Sequence, residues 1–271
     1  MSPRAERRKV TRARAGHLTT RPDTIAVEEP LEIRVGQQAV AVTMRTPGDD
    51  FELATGFLLS EGILVDREQL VGIRHCDDGR PDPTKNIVDV TLDGVTVQAH
   101  RHHTVSSSCG LCGRDSLDQV RTHARWRLDE DDARIDIGLL GSLPDRLREG
   151  QSVFDRTGGI HAAGLFTTDG DLLVLREDVG RHNAVDKVVG WALMHDRLPA
   201  RGVVLQVSSR LSFELVQKAW IAGVPIISGV SAPSTLAIDL AVEAGMGLAG
   251  FVRGESLNLY AGQGRFSGLD S

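Results

Sequence analysis

Apolar residues in the second half of the chain fall into short continuous runs separated by helical stripes. Residues 203–207, 224–228 and 248–252 read as buried strands, and 212–222 and 234–244 as the helices between them. Gly223 and Gly245 close those helices where a left-handed residue is favoured. Just upstream, 160–167 and 171–176 read as a hairpin, and a helix is expected from about 183 to 194. Strand–helix alternation with such short links predicts right-handed βαβ crossovers and a largely parallel sheet.

The first half has a different rhythm. Residues 31–35 and 39–44 read as two strands around a turn at Gly36-Gln37-Gln38. Asp49 or Asp50 then caps a helix whose stripe is Phe51, Ala54, Phe57 and Leu58, ending near Gly62. Residues 86–92 and 95–99 read as a second hairpin, with Asp93-Gly94 as its two-residue turn. The expected fold class is α/β: an α+β N-terminal part, then a layered βαβ sheet. The expected division is a disordered basic tail at 1–24, an α+β domain at 25–135 and an α/β cofactor-binding domain at 136–271. The acid-rich passage 128–136 reads as the surface boundary between the last two.

Charge sharpens that division. Residues 1–21 carry seven basic residues against Glu6 alone, so this arm is +6 and the rest of the chain −12 within a total of −6. An acidic body argues against nucleic acid as the main ligand. Three cysteines (Cys76, Cys109 and Cys112), an odd number, do not make a secreted disulfide framework. No apolar run approaches the ~20 residues that span a bilayer, and no signal-peptide core is apparent. A cytoplasmic protein without a membrane partner is expected.

The hairpin at 86–99 delivers a polar loop that carries Ser106-Ser107-Ser108-Cys109-Gly110-Leu111-Cys112-Gly113. From Asp115 onward Leu117, Val120, Ala124 and Leu128 fall at helical spacing, which puts the cysteine pair at or just before a helix N-terminus. There the helix dipole favours an anionic sulfur, and glycines leave both sulfurs approachable. Haem attachment fails, because Gly113 stands where His is needed. A structural zinc site would need two more ligands from His100, His102, His103 or Cys76. A thioredoxin-like redox pair wants a βαβ setting, which this loop lacks. Sulfur carriage as a persulfide on one cysteine, with the other assisting release, fits the local sequence best.

In a parallel α/β sheet the loops that follow the strands gather on one edge, where ligands bind. Those loops hold Glu177-Asp178-Val179-Gly180-Arg181-His182, Ser208-Ser209-Arg210, 229–234 and Arg253-Gly254-Glu255-Ser256. Hydroxyls, helix starts and the arginines Arg181, Arg210 and Arg253 suit phosphate or pyrophosphate, so a nucleotide-bearing ligand is expected. Taken singly, each Ser or Gly there also serves as a cap or turn. His182 reads as a ligand contact or a local cap, and Cys76 as incidental. His161-Ala162-Ala163 lacks the Glu of a zinc deaminase, and no Gly-x-Ser-x-Gly elbow or Walker A pattern is present.

Several motifs occur together and in order. They are Glu52-Leu53-Ala54-Thr55-Gly56-Phe57-Leu58, the Ser-Ser-Cys-Gly-Leu-Cys-Gly loop, Thr157-Gly158-Gly159-Ile160-His161-Ala162-Ala163, the string from Arg176 to Lys187, Ser231-Ala232-Pro233-Ser234 and Phe251-Val252-Arg253-Gly254. Over about residues 25–262 the chain strongly resembles the formate dehydrogenase accessory sulfurtransferase family (FdhD/NarQ). The resemblance implies a cytidine-deaminase-like fold without the zinc ligands, a homodimer and a sulfurtransferase. A cysteine desulfurase would load sulfur onto Cys109, with Cys112 as companion. The sulfur would pass to molybdenum cofactor, as the bis-molybdopterin guanine dinucleotide, before insertion into formate dehydrogenase. The family's segment for that cofactor maps to Phe251, Val252, Arg253, Gly254, Glu255 and Ser256. The rival reading is a non-catalytic cofactor chaperone whose CxxC is structural, holding zinc or a disulfide.

Overall fold

Alternating and continuous apolar runs assemble two layered units joined by a pair of helices. The computed structural model describes residues 2–76, 85–95, 103–104 and 123–269. In the N-terminal unit, β3 (Glu29–Val35), β4 (Gln38–Arg45), β5 (Leu70–His75), β6 (Ile87–Leu92) and β7 (His103–Thr104) form one sheet in the order β5-β6-β3-β4-β7. Leu31, Ile33 and Val35 of β3 point inward at period two and meet Leu53, Phe57 and Leu58 of α1 (Asp50–Ser60). The β3–β4 hairpin and the span of α1 match the sequence reading, but Asp49, at the N-cap position, makes no side-chain cap bond. The 86–99 hairpin does not take that form among the described residues: β6 pairs antiparallel with β5 and parallel with β3, while 96–99 lie outside them. Strand β5 escapes the pattern because only its first residue, Leu70, is buried.

The larger sheet takes the order β10-β9-β11-β12-β13-β14, from β9 (His161–Thr167), β10 (Leu172–Asp178), β11 (Val203–Val207), β12 (Ile226–Gly229), β13 (Gly247–Arg253) and β14 (Ser256–Ala261). On one face lie α4 (Arg181–Met194), α5 (Phe213–Ile221) and α6 (Thr235–Glu243), packed through Val185, Val188, Leu215, Val216 and Leu240 onto Leu205, Val207, Ile227 and Leu248. The other face is covered by α2 (Ile137–Glu149), whose Leu140, Leu143 and Leu147 meet Phe166, Val204 and Ile226. Covered on both sides, β11 is buried at all five positions, which is why it reads as an unbroken apolar run. The layered α/β architecture holds, but the sheet is mixed rather than largely parallel. Only β11–β12 and β12–β13 are parallel neighbours; β9 and β14 run against their neighbours.

Two further expectations are corrected. The N-terminal segment is an antiparallel ribbon, β1 (Ala5–Arg14) with β2 (His17–Ala26), and not a disordered tail. Ala15 and Gly16, both at positive φ, supply the two-residue turn that suits a right-twisted hairpin. The acid-rich passage is also more than a surface link: Leu128, Ala133 and Ile135 are buried. Its β8 (Ile135–Asp136) pairs with β15 (Phe266–Ser267), and Arg265 donates to the carbonyls of Leu128, Asp131 and Ala133.

The two units meet where α1 crosses α4 at backbone contact. A Cβ on Gly56 would overlap the carbonyl oxygen of Asp186, and one on Gly190 would overlap that of Glu52. Gly56→Ala should therefore destabilise the chain by about 1–3 kcal/mol or more in denaturant titration. Gly72→Ala on β5, where a Cβ meets open space, should stay within about 0.5 kcal/mol. Equal effects at the two positions would show that the crossing tolerates side chains.

Candidate functional site

The loops after β10, β11, β12 and β13 do gather on one edge of the larger sheet, and hydrogen bonds lace them together. Leu211 N–H donates to Ala232 O (3.1 Å), Ser234 N–H to Leu211 O (3.0 Å) and Phe251 N–H to Ser231 O (3.2 Å). Ala162 N–H donates to Ser208 Oγ (2.8 Å), tying in the start of β9. The starts of α4, α5 and α6 open onto this rim, and Ser234 caps α6 by accepting from Ala237 N–H (3.2 Å).

Phe251 to Ser256 form the tip of the β13–β14 hairpin. Arg253 pairs with Ser256, so Gly254-Glu255 is a two-residue turn. Val252 is buried, whereas Phe251 is 41% exposed at φ 53, a conformation costly for a bulky side chain. Arg253, Gly254, Glu255 and Ser256 are exposed. No ion pair between Arg253 and Glu255 occurs among the described residues, which leaves the Arg253 guanidinium facing solvent on the rim. Gly254 turns its backbone toward α2: its N–H donates to Gly141 O (3.1 Å), and its carbonyl fills the space of the missing Gly141 side chain. Arg210 is exposed on the loop after β11. Arg181 starts α4 with its Nε buried and without a hydrogen-bond partner among the described residues. These are the polar groups the rim offers to an anionic ligand.

The long string from Arg176 to Lys187 turns out to fasten the two units. Arg176 forks onto Glu52 of α1, and Glu177 accepts from Val153 N–H (2.9 Å) and Phe154 N–H (2.8 Å) at the start of α3 (Ser152–Thr157). Fully buried Asp178 meets fully buried Lys187 at 2.7 Å and accepts from Thr46 N–H. Lys187 also donates to Thr46 O (3.0 Å), and Asn183 to Met44 O (2.7 Å). Asp186 joins Ser60 of α1 to Lys218 of α5.

A cluster missed by sequence reasoning lies beside these residues. His182 is not a cap: its Nε2 stands 3.5 Å from Ser212 Oγ and 3.8 Å from Glu214 Oε2. Burial, then the Arg181 and Lys218 charges, lower its pKa to about 4 against the opposing pull of Glu214. His161 is lowered in the same sense, by burial and then Arg181. The sequence marks His161 and His182 separately, but no local spacing links them to Ser212, thirty residues beyond His182.

Cys109 and Cys112 lie outside the described residues, as do His100 and His102. Cys76 is half-buried and free, its N–H extending the ladder to Ile87 O. Among the described residues no group of three or more His, Cys, Asp or Glu side chains could hold a metal. No described helix is long and apolar enough to cross a membrane.

His182 sets a pH dependence. The folded chain keeps the ring neutral down to about pH 4, while the unfolded chain protonates it near 6.5. Between those values the unfolded state binds more protons, so stability falls as pH drops through the window. The loss assignable to His182 is about 2–4 kcal/mol. Thermal unfolding of His182→Gln across the same range should show a flatter profile than the parent chain, and parallel profiles would remove His182 as the cause.

Similarity to known proteins follows this architecture. Residues 26–267 match the model of the FdhD/NarQ family. The sulfur carrier protein FdhD of Streptomyces avermitilis is 56% identical over 269 residues, covering 97% of this chain and 95% of that one. The protein of the same name from Streptomyces coelicolor is 57% identical over 267 residues, covering 96% and 95%. A crystal structure assigned as a formate dehydrogenase accessory protein from Desulfotalea psychrophila superposes with a TM-score of 0.79 at 25% identity, covering 98% of this chain and all of that one. With a family match across nearly its whole length and relatives above half identity, the chain belongs to the FdhD/NarQ family.

Proposed function

We propose that this chain is a cytoplasmic sulfur carrier that serves the maturation of formate dehydrogenase, acting as a homodimer. The observation that carries the reading is the match to named sulfur carriers over nearly the whole chain, combined with the sequence Cys109-Gly110-Leu111-Cys112-Gly113. Cys109 attacks the outer sulfur of a cysteine desulfurase persulfide, takes that sulfur as its own persulfide, and the desulfurase thiolate leaves. The acceptor is the molybdenum cofactor in its bis-molybdopterin guanine dinucleotide form, handled as cargo on the rim. Cys112 then attacks Cys109 Sγ and releases the terminal sulfur as hydrosulfide. That step leaves a Cys109–Cys112 disulfide, which a dithiol reductant must reopen before the next cycle.

The rim's own residues support an anionic nucleotide as the cargo's handle. Arg253 can fork onto phosphate oxygens, and Arg210 and Arg181 stand further along the same rim, after β11 and β10. Phe251 holds an aromatic ring outward, suited to stacking on a planar base. Because the loops are hydrogen-bonded to one another, these groups are presented without a large ordering cost.

Intact mass after incubation with a cysteine desulfurase and cysteine tests the transfer directly. One added sulfur on the loop peptide is expected, absent in Cys109→Ala and still formed in Cys76→Ala. Cys109→Ala should also abolish activation of formate dehydrogenase, and Cys112→Ala should show a clear defect. A tightly held zinc in place of the adduct would favour the non-catalytic chaperone. Calorimetric titration with GDP tests the rim: Arg253→Ala should weaken binding by about 1.5–3 kcal/mol while the persulfide still forms. Unchanged affinity moves the phosphate site toward Arg210 and Arg181.

A further inference from the structure

The sulfur-transfer chemistry uses neither the basic β1–β2 ribbon nor the acidic passage that includes Asp129, Glu130 and Asp132. The ribbon is ten residues long on each strand, about 34 Å at ordinary strand rise. Its base is anchored by Arg4, which meets Asp49 at 2.5 Å and accepts from Val27 N–H through its carbonyl. Residues 11–23 are exposed without exception. The pairing register places Arg12, Arg14, His17 and Arg21 on the outer part of one face, while toward the base the same face carries Arg8 with the acids Glu6 and Asp23. Glu6 holds Arg8 at 2.5 Å, but Arg12, Arg14 and Arg21 have no hydrogen bond or ion pair among the described residues. Like charges side by side weaken a ribbon, and two strands alone are marginal in water, so this face calls for an acidic partner.

The same chain carries a short acidic cluster at 129–132, flanked by the exposed Arg125, Arg127 and Arg134. Asp129, Glu130 and Asp132 are exposed on a backbone held rigid by the buried neighbours Leu128 and Ala133 and by Arg265. Arg127 engages Asp129 and Glu130 only through exposed pairs, which contribute little. Asp131 is committed to structure, accepting from Ala133 and Gly202 N–H groups. The passage sits where β11 and β13 begin, beside Gly202 and Gly245, whereas the ribbon is rooted where β10 ends, beside Asp49 and α3. No ion pair joins them within the chain among the described residues. Residues 5–26 carry six basic side chains against Glu6 and Asp23, a net +4, which leaves −10 for the remainder of the −6 total. The two Streptomyces sulfur carriers named above align over 96–97% of the chain, a span longer than residues 26–267, so part of the ribbon lies within that similarity.

We propose that the basic face of the ribbon docks on the acidic passage of a second copy of this chain, and reciprocally, giving a two-fold arm exchange. The proposal rests on the homodimer reading and names the surfaces that make it. A nucleic acid would meet the same arginines, but the −10 body behind them would repel it.

The experiment measures the mass of the full chain by light scattering at low and high salt. Variants are Arg12→Glu/Arg14→Glu/Arg21→Glu and Asp129→Lys/Glu130→Lys/Asp132→Lys, each checked for fold by circular dichroism. The parent chain should be a dimer whose affinity falls with salt, and each triple variant should lose at least about tenfold in dimer affinity. Mixing the two variants should restore the dimer, because both exchanged contacts then pair opposite charges. A monomeric parent chain would remove the homodimer reading itself. A parent dimer that both variants leave intact, or that mixing fails to restore, would overturn the ribbon contact alone. Retardation of duplex DNA by the parent chain, lost in the arginine variant, would overturn it in favour of nucleic acid.

Discussion

The crossing of α1 on α4 is the constraint from which the rest of the arrangement follows. At Gly56 and Gly190 each helix lays its missing side chain against the other's carbonyl, so the two backbones touch. Helices that close cannot be re-registered without clash, which fixes the small sheet relative to the large one. The position of α4 in turn sets the start of the rim, since Arg181 and His182 are its first residues.

Buried charges secure the same joint. Lys187 and Asp178 are both fully buried, 2.7 Å apart, and both also bond the backbone of Thr46. A buried pair of this kind adds little net stability, because desolvation opposes the Coulomb gain. Its contribution is specificity: loss of either partner would strand a charge in the core, so only the native docking of the two units satisfies both. Lys218, Asp186 and Ser60 repeat the device one helix further on.

Much of the larger unit was legible because its strands are short apolar runs punctuated by Gly223 and Gly245, both at positive φ as helix closers require. Strand direction was legible only for the hairpin β9–β10: nothing in the apolar run of β9 says that it opposes β11, and β14, which alternates polar with apolar residues, does not stand out as a strand at all. Helix α2 was hidden because Pro144 and two glycines interrupt a stripe that tertiary contact with Phe166 and Ile226 completes. The ribbon was hidden because its side chains are polar on both faces, so no core pattern marked it. For the rim, the loops could be named in advance. The interpretation of the Arg176–Lys187 string could not, since its tasks are long-range bonds to Thr46, Glu52, Ser60 and Val153 that no local spacing announces.

Phe251 carries one more consequence. A left-handed backbone at a bulky residue costs roughly 1–2 kcal/mol that glycine would not incur, and the ring's 41% exposure recovers little of it through packing. Directed evolution for heat resistance alone would therefore tend to replace this aromatic with a smaller residue. Its persistence in a hardened variant would measure how strongly selection for use outweighs selection for endurance at that one position.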